Sequence, residues 1–106
     1  MLEPLKILLV EDDPLCQNMT ALILKRCQCQ VVSVQTGQEA LWQLSQQTFN
    51  GILCDFMLPD MVATDVMKQM SHHPQWRSLI RVVLTAMIDH EMVRTLKTLD
   101  LNEIVL

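Results

Sequence analysis

The sequence predicts an α/β fold built on a parallel β-sheet, and two observations carry that reading. Short apolar runs alternate along the chain with longer stretches of helical periodicity, the pattern of strands joined by crossover helices. Three of the apolar runs also end in residues that carry chemistry. Ile7-Leu8-Leu9-Val10 leads into Glu11-Asp12-Asp13, Gly51-Ile52-Leu53-Cys54 into Asp55, and Arg81-Val82-Val83-Leu84 into Thr85-Ala86. Open parallel sheets bind ligands beyond the carboxyl ends of their strands, so acids and a hydroxyl at three strand ends point to a metal-dependent phosphoryl site.

Lys6–Val10 reads as the first strand. Asp13-Pro14 then supplies an N-cap and an N1 proline for a helix over Pro14–Arg26, with Leu15, Met19, Leu22 and Ile23 on one face. Gln30–Val34 is rich in β-branched residues and reads as the second strand. Residues 38–46 form the second helix with Ala40, Leu41 and Leu44 inward, and residues 51–54 the third strand. A loop containing Pro59 leads to a third helix near residues 64–70, which His72-His73-Pro74 breaks; the two histidines read as a solvated turn. Residues 81–84 give the fourth strand, and residues 89–99 a fourth helix with Met92, Leu96 and Leu99 on one face. Residues 103–106 give a fifth strand, where the sequence stops.

The 106 residues make one domain, and with half of them hydrophobic there is enough apolar material for a core. A net charge of −4 with scattered basic residues argues against general nucleic-acid binding. No apolar run approaches the roughly 20 residues of a membrane-spanning helix, and the N-terminus lacks a signal-peptide pattern, so a cytoplasmic location is expected. Cys16, Cys27, Cys29 and Cys54 read as reduced, structural thiols; the Cys27-Gln28-Cys29 pair lacks the further ligands a zinc site needs.

Glu11, Asp12 and Asp13 have two readings: Asp13 caps the helix beside two exposed acids, or the acids share a site with Asp55. Two carboxylates about 5 Å apart repel by roughly 3 kcal/mol at an effective dielectric near 20, so such a cluster protonates or binds a cation. Hard oxygen ligands favour Mg²⁺, with Mn²⁺ as the alternative. A carboxylate such as Asp55 can accept a phosphoryl group as an acyl phosphate, and Thr85 could hydrogen-bond one of its oxygens, with backbone N–H groups beyond Asp55 and Thr85 for the rest.

Taken together, Leu8-Leu9-Val10-Glu11-Asp12-Asp13-Pro14, Asp55-Phe56-Met57-Leu58-Pro59-Asp60-Met61 and Val83-Leu84-Thr85-Ala86 resemble the receiver domain of two-component response regulators. The likeness spans the chain. It implies a doubly wound, flavodoxin-like sheet of five parallel strands in the order 2-1-3-4-5. It implies Asp55 as phosphoacceptor, Glu11, Asp12, Asp55 and the main-chain carbonyl of Met57 around Mg²⁺, and Thr85 with the Ala86 N–H at the phosphoryl group. A histidine kinase or a histidine phosphotransfer protein would be the partner in a phosphorelay.

The sequence departs from the family pattern in four places. Val62-Ala63 replaces the usual Asp-Gly, which implies a reshaped loop. Ile104 stands where the family has a switch aromatic. The phosphate-binding lysine would fall just after Leu106, and a lost hydrogen bond to a charged group would weaken the phosphorylated state by roughly one to two orders of magnitude. The sequence stops at the expected fifth strand, before the family's fifth helix; either domain 1–106 leaves apolar surface that invites a partner or a homodimer, or it is a shortened piece of a longer receiver. Met57 and Met87, each two residues beyond a site residue, either slow hydrolysis of the acyl phosphate or simply pack.

Three functions compete. The first is a phosphoryl-accepting signalling receiver that is not itself an enzyme. The second is a receiver-fold interaction module acting without phosphorylation. The third is a haloacid-dehalogenase-type phosphatase, which wants a second Asp where Met57 stands. A flavodoxin is disfavoured, because three acids stand where its phosphate loop would be.

Overall fold

In the computed structural model, which describes residues 4–84 and the backbone of residues 103–105, five parallel strands form one sheet. They are β1 (Lys6–Val10), β2 (Gln30–Val34), β3 (Gly51–Asp55), β4 (Ile80–Leu84) and β5 (Glu103–Val105), in the order β2-β1-β3-β4-β5. That is the expected order. Three helices connect the first four strands: α1 (Pro14–Arg26), α2 (Gly37–Gln46) and α3 (Ala63–Ser71), followed by a 3-10 turn at Pro74–Trp76. The segment expected to form a fourth helix, residues 89–99, lies outside the described residues, as do Thr85, Ala86, Met87 and the side chain of Ile104.

β1 is central, so its run reads apolar without alternation; Leu8, Leu9 and Val10 are completely buried. The two sheet faces are nevertheless unequal. Leu8, Val10, Ile52, Cys54 and Val83 lie in the main core with Ala40 and Leu44 of α2 and Ala63, Val66, Met67 and Met70 of α3. On the opposite pleat Leu9 is buried, but its register neighbour Leu53 and then Val82 are only half-buried.

α1 begins as its sequence requires. The Asp13 carboxylate accepts from the Leu15 N–H at 3.3 Å, Pro14 opens the first turn, and Lys25 and Arg26 close the last against the helix dipole. The chain leaves through Gln28, whose φ of 67° makes it the positive-φ residue that turns the backbone out of the helix. The apolar face is the surprise. Leu15, Met19, Leu22 and Ile23 are 66, 57, 52 and 60% exposed. Ala21 is buried instead, with Gln17, Thr20 and Leu24 half-buried beside it. Periodicity located a face correctly, but small and polar residues occupy the buried side.

The loop beyond Asp55 bears on two further expectations. Val62-Ala63 does not call for left-handed backbone: Gln28 is the positive-φ residue among those described, and Val62 sits at φ −97° as the cap of α3. Ala63 is completely buried, so a small side chain is what this position needs. Met57 does not pack, its side chain being 64% exposed. His72 and His73 are exposed as expected, and the His73 ring lies against Trp76 with centroids 4.2 Å apart.

Truncating Met67, completely buried in the main core, to alanine should cost about 2–5 kcal/mol by urea denaturation. Leu22→Ala, on the outer stripe of α1, should change stability by no more than about 0.5 kcal/mol. A large loss from Leu22→Ala would show that this stripe is covered in solution.

Candidate functional site at the carboxyl ends of the strands

The parallel register of β1 and β3 sets Val10 beside Cys54. Glu11 therefore leaves the sheet next to Asp55, and Asp12 follows. Carboxylate oxygens of Glu11, Asp12 and Asp55 all lie within 4.8 Å of one another. They sit between β1 and β3, where the strand order reverses: the chain runs outward from β1 to β2 and then crosses back past β1 to β3, which makes this the switch point of the sheet. The three carboxylates thus converge at one end of the sheet.

Each acid is fixed differently. Glu11 is 8% exposed; its N–H donates to the Val34 carbonyl at 3.1 Å, and its Oε1 accepts from the Asp13 N–H at 3.0 Å. Burial pushes the Glu11 carboxyl above its ordinary 4.5, the Asp13 N–H pulls the other way, and the charges of Asp55, Asp12 and Asp13 add to the rise. Asp55 is half-buried at the end of β3, and burial together with the Asp12 charge raises it above 3.8 despite the hydrogen bond from Phe56 N–H. Asp12 is exposed. Asp13 belongs to helix capping, as expected: its carboxyl is held below 3.8, first by the Cys16 thiol and then by backbone N–H groups.

The thiols near the site are inert. Desolvation pushes Cys54 up to about 12, and the hydrogen bond to Asp13 pushes Cys16 up to about 11. Neither supplies thiolate at neutral pH. None of the four cysteines is in a disulfide; Cys54 is buried as a core residue, whereas Cys16 and Cys27 are exposed.

The loop after Asp55 folds back on itself. Met57 forms an antiparallel bridge with Val62, Leu58 N–H donates to the Met61 carbonyl at 3.0 Å, and Ala63 N–H to the Phe56 carbonyl at 2.8 Å. Met57 is thus held in a closed loop two residues beyond Asp55.

Two residues given no role by sequence reasoning serve this end of the sheet. Gln17 donates through Nε2 to the carbonyls of Glu11 at 2.9 Å and Val34 at 3.0 Å, tying α1 to the ends of β1 and β2. Asp60 accepts from Gly37 N–H and Gln38 N–H, both at 2.9 Å, through its two carboxylate oxygens. Burial pushes the Asp60 carboxyl up, but the N–H groups of Gly37, Gln38, Asp60 and Met61 outweigh it and hold it below 3.8. The only sequence signal for Gln17 was its place near the start of α1; Asp60 stood inside a quoted motif without a partner in view.

The sheet order and the acid cluster define a flavodoxin-like α/β domain with a candidate divalent-cation site at its switch point. Residues 7–106 match the family model of the response regulator receiver domain, and the chain belongs to that family. It is 34% identical over 94 residues to the sensor protein TorS of Escherichia coli K12; the match takes in 88% of this chain and a tenth of TorS. Among solved structures, the signal receiver domain of a histidine kinase from Syntrophus aciditrophicus is 25% identical with a TM-score of 0.87, the match covering 95% of this chain and 76% of that one. The Mn²⁺-bound form of a response regulator is 26% identical with a TM-score of 0.86, covering 96% and 80%.

The pKa directions fix a sign. Asp55 and Glu11 are raised in the fold, so the native state holds more protons than the unfolded chain near these values, and their contribution to stability falls as pH rises through them. Asp13 and Asp60 are lowered, and theirs is lost as pH falls below 3.8. Without divalent cation, Asp55→Asn should therefore stabilise the protein by about 1 kcal/mol at neutral pH, the Coulomb repulsion discounted for screening. The gain should shrink toward pH 3.8. Urea denaturation in chelator across this range checks it, and an unstabilised variant at neutral pH would contradict it.

Proposed function

We propose that the chain accepts a phosphoryl group on Asp55 in a Mg²⁺-dependent reaction, delivered by a histidine kinase or a histidine phosphotransfer protein. The observation that carries this is the convergence of the Glu11, Asp12 and Asp55 carboxylates within 4.8 Å at the switch point. Such a cluster is unfavourable unless a cation offsets it, and its all-oxygen donor set suits Mg²⁺ or Mn²⁺. The similar response regulator seen with Mn²⁺ supports the same reading.

Glu11, Asp12, Asp55 and the main-chain carbonyl of Met57 would hold the ion. When bound, it would supply charge neutralisation between the carboxylates and the phosphoryl oxygens. Asp55 does the bond-making. One carboxylate oxygen attacks phosphorus, the phosphorus–nitrogen bond of the donor phosphohistidine breaks, and its electron pair returns to the imidazole. Asp55 is left as an acyl phosphate. In this reading the Thr85 hydroxyl and the Ala86 N–H hydrogen-bond the phosphoryl oxygens.

The domain is then a phosphorelay acceptor, not an enzyme. It works in the cytoplasm through protein partners, a second copy of itself included, and without direct contact with nucleic acid or membrane. No helix among the described residues is long and apolar enough to cross a membrane.

Acetyl phosphate with Mg²⁺ should add one phosphoryl group, read by intact mass and removed by hydroxylamine. Asp55→Asn or a chelator should abolish it. Labelling that persists in Asp55→Asn would overturn the assignment. An unlabelled protein whose partner binding also survives Asp55→Ala would instead establish an interaction module independent of phosphorylation.

A further inference from the structure

At its tip, the loop that carries Met57 is anchored to α2 through one carboxylate. Asp60 stands at its tip and spans the first two N–H groups of α2, at 2.9 Å each. These are donors that a helix cannot satisfy internally. The Thr36 hydroxyl takes the third, from Glu39, at 3.0 Å. The start of α2 is thus capped from two directions, once by its own neighbour and once by a residue more than twenty positions away.

Packing reinforces the anchor. Gly37 is buried, and a Cβ there would lie 2.5 Å from both Cγ and Sδ of Met61. The loop therefore closes onto α2 against backbone. Its other end is fastened to the sheet: Phe56 N–H donates to the Leu84 carbonyl, and Ala63 N–H to the Phe56 carbonyl, each at 2.8 Å. Between these two fixed points lie Met57 and the bridge to Val62. A loop restrained only at its base would leave the backbone at Met57 free to shift relative to Asp55; restrained at the tip as well, it has little room to do so.

We infer that Asp60 is a positioning residue for the cation site, holding the Met57 carbonyl in register with Asp55, Glu11 and Asp12 through its paired hydrogen bonds to the start of α2. This rests on the cation reading above and deepens it. Residues that orient metal ligands commonly contribute about 10–100-fold to affinity. Asp60 acts through backbone, so the expected effect is at the lower end, about tenfold.

The test is equilibrium binding of Mn²⁺ and Mg²⁺ by calorimetry, alongside thermal unfolding in chelator. Asp60→Ala should weaken Mn²⁺ binding about tenfold. Asp60→Asn keeps one carbonyl acceptor and should fall between. Gly37→Ala leaves the carboxylate in place but displaces Met61, and it should also weaken binding. To separate the site from general destabilisation, Met67→Ala serves as a core control expected to lower thermal stability at unchanged Mn²⁺ affinity. If Asp60→Ala behaves like that control, Asp60 is only a helix cap and the inference falls. If the unmodified chain binds neither cation, the cation reading itself falls and takes the inference with it.

Discussion

The parallel register between β1 and β3 is the constraint on which the site depends. With Val10 opposite Cys54, Glu11, which follows β1, and Asp55, the last residue of β3, are brought side by side. The register is held by the ladder bonds on both sides of β1 and by the complete burial of Leu8, Leu9 and Val10, and these keep the acids together against their mutual repulsion. The core stabilises an arrangement that its rim opposes. This is the usual relation between a stable scaffold and a strained functional edge.

The two faces of the sheet divide the work unequally. α2 and α3 cover one side with a continuous core. On the other side α1 turns Ala21 inward and leaves four large apolar residues outward. The asymmetry does not disturb the acid cluster, because Glu11 is fixed by Val34 and Asp13 and not by the outer stripe. It does place a broad apolar surface on the helix that begins beside the cluster.

Much of this was legible in the sequence, for identifiable reasons. α1 and β2 have the expected bounds because Asp13-Pro14 is an unambiguous start signal and β-branched residues mark Gln30–Val34. The strand-end acids were legible because strand ends in a parallel sheet converge. α2 begins one residue early, at Gly37, because a carboxylate from a distant loop caps it. The outward stripe of α1 escaped prediction because periodicity defines a face without saying what it meets. At Val62-Ala63 the sequence showed the lack of a glycine but not what takes its place: backbone with negative φ at Val62 and a completely buried Ala63. Gln17 and Asp60 work across elements, and nothing local to either residue announces a tertiary partner.

Gln17 has a mechanical consequence of its own. One amide nitrogen bonds the carbonyls at the ends of both β1 and β2, from the side of α1 opposite to its exposed leucines. The helix is thereby geared to the strand tips. A roll of α1 about its axis cannot leave Gln17 where it is, and any displacement of Gln17 is a pull on the backbone of Glu11.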